Sequence, residues 1–333
     1  MRGRSAWYVA CALITGVVLL ALAVRRVDWA AVGAAVAQVS LGWLALGVLA
    51  AVAAQIMGAV RWRVLVNAGE QISLADAFDF MMIGSLAGLV LPSRLGDVAR
   101  AIAAGRYHSL SASRLLGTIL VEKLFDVIML LGFGMALAVL MAIPSSVQGA
   151  LIALFAAALA LSAVLWFGEA GPLGLVAGWL GRLPGRASGL VSIFERFVGG
   201  IGAVREQGRV APALVAAALV WLCSAGAARC NMAAFGITAP WYAGAFVVVV
   251  VNLGGIIPAP PAGIGVYHYL ATVALAPWAA NSSTAFAFAL VTHALSVAVV
   301  LAIGSVSLAR KGLSLGRLRQ MAAADAPRTS GIS

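Results

Sequence analysis

Charge is scarce in this sequence. Only 10% of its 333 residues are Asp, Glu, Lys or Arg, where a soluble domain carries about 25%. So little charge cannot coat a surface facing water, and a chain that is 63% hydrophobic cannot hide its apolar side chains in one aqueous core. A typical soluble enzyme and a disordered chain are both excluded. Cysteine is sparse too. Cys11, Cys223 and Cys230 sit in apolar runs, which excludes a secreted disulfide scaffold and leaves no metal-ligand spacing. Phosphate-binding glycine loops, dinucleotide fingerprints and metal motifs are lacking. The reading therefore assigns no cofactor, no metal and no catalytic residue. Negative charge is the rarer sign, with eleven acids against twenty-two bases and a net +11, and Lys123 and Lys311 are the only lysines.

What is present is long apolar sequence. A membrane span needs about 20 such residues, and residues 6–24, 41–60, 115–143, 147–167, 211–232 and 284–308 qualify. The first follows Arg2 and Arg4 and contains Ala21-Leu22-Ala23, which resembles a signal-peptide cleavage site. Its apolar core exceeds the usual 7–15 residues of such peptides, so a retained helix is expected. Two further runs are broken. Residues 77–91 carry Asp79, stop at Pro92 and resume to Ala104; residues 241–257 stop at Pro258 and resume from Ile264 to Trp278. The arginines lie between spans, with no basic domain interleaved with aromatics, so they read as topology signals and lipid-head contacts and not as a nucleic-acid surface.

Basic residues place the 168–210 connection and the tail after the last span on the cytoplasmic side. Arg61 and Arg63 after the second span, and Arg106 and Arg114 before the third, ask for the same side. That holds if 77–104 enters and leaves on one face, as a re-entrant hairpin. The uncharged 144–146 turn suits the outside, and Arg25-Arg26 is a misfit there. The expected fold is an all-α polytopic membrane protein with about six full spans and two re-entrant or broken hairpins; the alternative is eight or more full spans. Residues 1–310 form one membrane domain, with half-repeats of about 6–143 and 147–308 in inverted orientation. Paired broken helices in corresponding positions point to a transport site. Residues 311–333 are a basic cytoplasmic tail, expected to be disordered. The 168–210 connection, with Trp179, Phe194 and Phe197 among arginines, reads as an interfacial helix pair.

The expensive charges lie at the first break and just after it. Pro92 ends one helix and suits the start of the next, with Gly96 as a second hinge. Arg94, Asp97 and Arg100 then fall at i, i+3 and i+6 along one side of the new helix. Two guanidinium groups at a helix start suit a phosphate; a structural ion ladder is the alternative. Glu122, Lys123 and Asp126 lie inside the third span. Each costs at least about 2.5 kcal/mol in a membrane helix, so they need partners, and Arg94, Arg100 and Arg229 are the nearest expectation. A mixed-charge headgroup pocket, a proton relay and a packing network are all open. The second break, with Pro258, Pro261, Gly263 and Gly265, excludes α-helix. Asn252 precedes it and His268 follows it. His293 lies within the last span, which Asn281-Ser282-Ser283-Thr284 caps.

These ordered motifs resemble one family. Pro92-x-Arg94-x-Gly96-Asp97-x-x-Arg100, Glu122-Lys123-x-x-Asp126 and Pro258-x-x-Pro261-x-Gly263-x-Gly265-Val266 are similar to the integral membrane domain of lysylphosphatidylglycerol synthase/flippase proteins and its stand-alone relatives. The resemblance covers about residues 5–310. It implies a lipid-handling domain of the bacterial inner membrane, in which the distribution of basic residues places both termini on the cytoplasmic side. It implies lipid partners: an anionic or aminoacylated phospholipid, or a polyprenyl-linked or hopanoid-type lipid. His268 stands where relatives often carry an acid, and Ala262 where they carry a glycine. The chain ends about 25 residues after its last span, so the aminoacyl-transferase activity of full-length synthases is not expected. The leading expectation is a lipid flippase. The alternatives are a non-transporting partner of a lipid-modifying enzyme and an intramembrane enzyme using Asp126 or His268.

Overall fold

The computed structural model describes residues 2–67, 71–90, 95–142, 145–167, 208–257, 259–314 and 316. Pro92, Arg94, Pro258, most of the 168–210 connection and most of the tail lie outside the described residues. Those described form eleven α-helices and no strand: α1 (Arg2–Val24), α2 (Trp29–Ala37), α3 (Leu41–Val66), α4 (Leu74–Val90), α5 (Gly96–Tyr107), α6 (Ala112–Leu140), α7 (Ser145–Phe167), α8 (Val210–Ala234), α9 (Ala243–Leu253), α10 (Val266–Leu275) and α11 (Ser282–Arg310). Lipid leaves only closed hydrogen-bonding patterns available to a spanning backbone, and such apolar runs satisfy theirs internally.

The six expected spans correspond to α1, α3, α6, α7, α8 and α11. Five are long and apolar enough to cross a membrane by themselves. The sixth is α1 from Ala10, which meets α2 at an 83° bend. The short helix α2 was not expected. Asp28 starts it by accepting hydrogen bonds from the Ala30 and Ala31 amides, at 2.9 and 3.4 Å. At 1.5 Å per residue, α5, α9 and α10, with 12, 11 and 10 residues, fall well short of a bilayer core of about 30 Å. Large apolar side chains such as Leu49, Ile152 and Val215 are exposed along the long helices, as lipid-facing residues must be.

The chain divides into two compact units, each drawing on both halves of the sequence. Unit 1 comprises residues 1–61, 123–162 and 214–298. Its core includes Met232, Val247, Leu275 and Phe288, with a second cluster of Leu130, Leu137 and Trp221 against Val248 and Val249. The elbow before α2 is tied to the start of α11: the Asp28 amide donates to Ser283 Oγ at 2.9 Å, and Ser282 Oγ donates to the Arg26 carbonyl at 2.7 Å. Asn281 caps α11 as expected, accepting from the Thr284 amide at 2.8 Å. The second break folds as two 3₁₀ turns, Gly254–Ile256 and Pro261–Gly263, before α10. Here Gly265, at φ +88°, lies directly on the Gly16 backbone of α1.

Unit 2 comprises residues 62–122, 163–213 and 299–333. Its centre is an antiparallel hairpin of α4 and α5, in which glycines let the backbones meet. A Cβ on Gly96 would collide with the Gly84 carbonyl and lie 3.0 Å from the Gly88 amide nitrogen. Gly84 and Gly88 form a small-xxx-small face of the kind that brings membrane helices close. Phe80, Met82 and Ile83 of α4 are fully buried, and Gly304 of α11 sits against Met82 and Leu86.

Candidate functional site

Arg100 is the centre of the charged site in unit 2. It lies one turn into α5, opposite Gly84, where a Cβ would come within 2.9 Å of its own Cβ. Glycine at 84 therefore makes the room that a guanidinium stem needs. Arg100 Nη2 is 3.2 Å from Asp97 Oδ1 and donates to both carboxylate oxygens of Glu122 at 3.4 Å. Its guanidinium carbon lies 4.7 Å from the ring centre of Trp62, a cation–π contact. Arg100 and Glu122 are 2% and 3% exposed, and Trp62 is fully buried. Two donors in this group, Arg100 Nε and Trp62 Nε1, are buried without a hydrogen-bond partner among the described residues. Buried polar groups are nearly always paired, so these two donors are an exception that an acceptor would satisfy, beside a guanidinium that already meets two carboxylates.

A separate ion pair lies in unit 1. Arg61 of α3 grips Asp126 of α6 with both fork nitrogens, at 2.5 and 3.3 Å. Trp221 Nε1 of α8 donates to Asp126 Oδ1 at 3.1 Å. Arg61 is 4% exposed. Bidentate geometry makes this a strong charge-assisted contact, and one that leaves Asp126 well supplied with donors.

The histidines of unit 1 lock the second break. His293 Nε2 reaches the Ala262 carbonyl at 2.9 Å, stacks on Tyr267 with centroids 4.7 Å apart and meets His268 edge-on at 4.8 Å. His268 Nδ1 accepts from the Gly265 amide at 3.4 Å. The Tyr267 hydroxyl is 3.1 Å from Thr292 Oγ1. These contacts hold α10 to α11 through the loop.

A third charged group closes unit 2 at the end of α11. Gly312, at φ +62°, terminates the helix: its amide donates to the Ala309 carbonyl, and the Leu313 amide donates to the Leu308 carbonyl, both at 3.0 Å. This Schellman turn leaves Lys311 as the C-cap. Lys311 Nζ donates to Asp76 Oδ1 and lies 3.4 Å from Asp79 Oδ2, and Arg310 Nη1 lies 3.4 Å from Asp79 Oδ1. Burial works to lower the Lys311 pKa, yet the hydrogen bond and charge of Asp76 and the charge of Asp79 outweigh it and raise it above 10.5. Burial likewise works to raise Asp76, and the hydrogen bonds from Lys311 and Ser73 outweigh it and lower it below 3.8. A raised lysine stabilises fully below its unfolded pKa and loses this as pH rises through the folded value. A lowered aspartate stabilises above its unfolded pKa and loses this as pH falls through the folded value. The stabilisation by this pair is therefore expected to be constant from about pH 5 to 9 and to shrink below and above. Melting temperatures of His108→Gln and of His108→Gln/Lys311→Met across that range check it, with the imidazole 3.6 Å from Asp76 removed from both; a difference that changes within the range contradicts it.

Of the residues singled out in the sequence, Asp97, Arg100 and Glu122 come together. Arg94 and the hinges Pro92 and Pro258 lie outside the described residues. Gly96, Gly263, Gly265 and Pro261 sit at their breaks, as expected. Lys123 is exposed, whereas Arg100 and Glu122 are buried. Asp126 takes Arg61 as its cation, where Arg94, Arg100 and Arg229 were the expected partners. Arg229 instead donates to the Ala239 carbonyl at 3.1 Å. The Asn252 side chain is exposed and donates to the Val248 carbonyl of its own helix at 2.8 Å.

The sequence reading missed Arg61, Trp62, Trp221, Asp76 and the role of Lys311. In the sequence alone Arg61 and Lys311 read as topology signals at span ends. The signal for Arg61 is that apolar residues resume at Val64–Val66, so the helix runs on past it. The signal for Lys311 is Arg310-Lys311-Gly312, a helix stop. Among the described residues no group of three or more His, Cys, Asp or Glu could hold a metal ion.

Compared with known proteins, residues 7–304 match the family model described as "Lysylphosphatidylglycerol synthase TM region". A search of the curated proteins finds no match.

Proposed function

Since the chain belongs to the lysylphosphatidylglycerol synthase TM-region family, a multi-pass membrane family with a lipid-related role, we propose that it translocates a lipid across the bacterial inner membrane. The headgroup bears phosphate, with or without an amine, and no covalent bond is made or broken. The single observation that carries this reading is the pair of unspent buried donors, Arg100 Nε and Trp62 Nε1, beside a guanidinium that Asp97 and Glu122 hold in place. A phosphate oxygen suits such donors, and Arg suits phosphate through its fork. The short helices of the two hairpins support the reading, since broken helices in membranes persist where they are buried in protein or line a polar cavity. The inverted repeat and the cytoplasmic placement of both termini belong to the same proposal.

The test is reconstitution in vesicles that carry headgroup-labelled phospholipid in both leaflets. Wild type is expected to expose inner-leaflet label to an external quencher faster than protein-free vesicles do. Trp62→Phe keeps the ring, removes the N–H, and is expected to slow transfer about fivefold, the equivalent of one hydrogen bond of about 1 kcal/mol. Wild type that moves no labelled lipid faster than empty vesicles overturns the reading. A cell lacking the protein that loses a covalent lipid species, with the sidedness of its lipids unchanged, favours an enzyme or an enzyme's partner.

A further inference from the structure

Lys311 occupies a receptor built from another part of the chain. Its ammonium lies 4.8 Å from the ring centre of Tyr107 and 5.5 Å from that of Phe80, with Asp76 and Asp79 supplying carboxylates. The walls brace one another. Phe80, Tyr107 and His108 contact one another edge-on, with centroids 5.0–5.8 Å apart. Asp76 is held by Ser73 Oγ at 2.8 Å and lies 3.6 Å from His108 Nε2. Asp79 is 1% exposed and Lys311 8%. Aromatic faces with acids beside them recognise ammonium groups, and here the guest arrives on the chain's own C-cap.

We propose that the base of the α4–α5 hairpin is a receptor for a primary ammonium, filled in cis by Lys311, and that an amine-bearing lipid headgroup competes with Lys311 for it. Depth in the membrane makes the competition reachable. The 29 residues of α11 span about 43 Å at 1.5 Å per residue, longer than the hydrocarbon core of about 30 Å, which leaves its C-cap the length to stand at headgroup level. A guest attached through a flexible stem is what Lys311 already is. The second half of the proposal rests on the translocator reading and names the amine as part of its substrate; the first half stands without it.

Lys311→Ala empties the receptor. Its melting temperature in detergent is expected to fall by about 4 °C or more and to recover on addition of n-butylammonium but not of n-butanol. Lys311→Met, which keeps the stem and loses the charge, is expected to lose stability as well and, with the space filled, to show no recovery. In nanodiscs, Lys311→Ala is expected to melt higher in phosphatidylethanolamine than in phosphatidylcholine, whose quaternary amine donates no hydrogen bond, while wild type shows no such preference. No loss in Lys311→Met, or no ammonium-specific recovery in Lys311→Ala, overturns the receptor. Recovery with butylammonium but no lipid preference overturns the competition alone. Neither result touches the vesicle assay of the wild type, so the two readings fail separately.

Discussion

Replacing Arg100 with methionine is expected to cost about 3–5 kcal/mol of stability, the usual loss when one partner of a buried ion pair is removed, and to abolish headgroup transfer. The change takes its cation from Glu122, which is 3% exposed, and leaves the Trp62 face without its guanidinium. A second replacement separates folding from function. In Arg100→Met/Glu122→Leu both charges are gone, and swapping a buried pair for apolar side chains of similar volume is often neutral or stabilising. The double variant is expected to regain most of the melting temperature while lipid transfer stays absent. Unfolding in detergent and quencher accessibility in vesicles measure the two properties. A double variant that moves lipid at the wild-type rate makes the pair a packing device and removes it from the site.

The second large effect is at Gly265. Gly265→Ala is expected to cost about 1–3 kcal/mol from forcing a side chain into φ +88°, and about 1–3 kcal/mol more from overlap. The new Cβ would strike the Gly16 carbonyl oxygen and lie 2.7 Å from its carbon, and backbone cannot swing aside as a side-chain tip can. Gly263→Ala is the control. Gly263 also has positive φ, +73°, but has nothing within 4 Å of a new Cβ, so only the backbone part is lost. Equal melting temperatures for the two variants would show that the contact between α1 and the second break carries no stability. Ala262 shows that one methyl is tolerated in this loop: it sits at φ 59°, and its carbonyl is held by His293.

The spans were legible because their signal is one-dimensional. A helix in lipid needs about 20 apolar residues in a row, and the runs of α7 and α11 read directly as such. The broken runs were legible for the same reason, since proline forbids continuation wherever it falls. Helix α2 was not, because nine apolar residues between Asp28 and Gln38 resemble a fragment of a span. Its Asp28 cap was the available cue. Among site residues, Asp97, Arg100 and Glu122 stood out because charge inside an apolar run is costly. Arg61 and Lys311 were hidden because the same residue types mark the ends of spans, and only the position of the helix end tells the two uses apart.

The sequence by itself determined the solvent, the helical class, the long apolar runs and the two breaks, all of which follow from local composition and from what a backbone needs in lipid. Tertiary structure alone decided the pairing of charges. Arg61 meets Asp126 across 65 residues, and Lys311 meets Asp76 across 235. An ion pair depends on which helices pack side by side, and no local pattern along the chain encodes that distance.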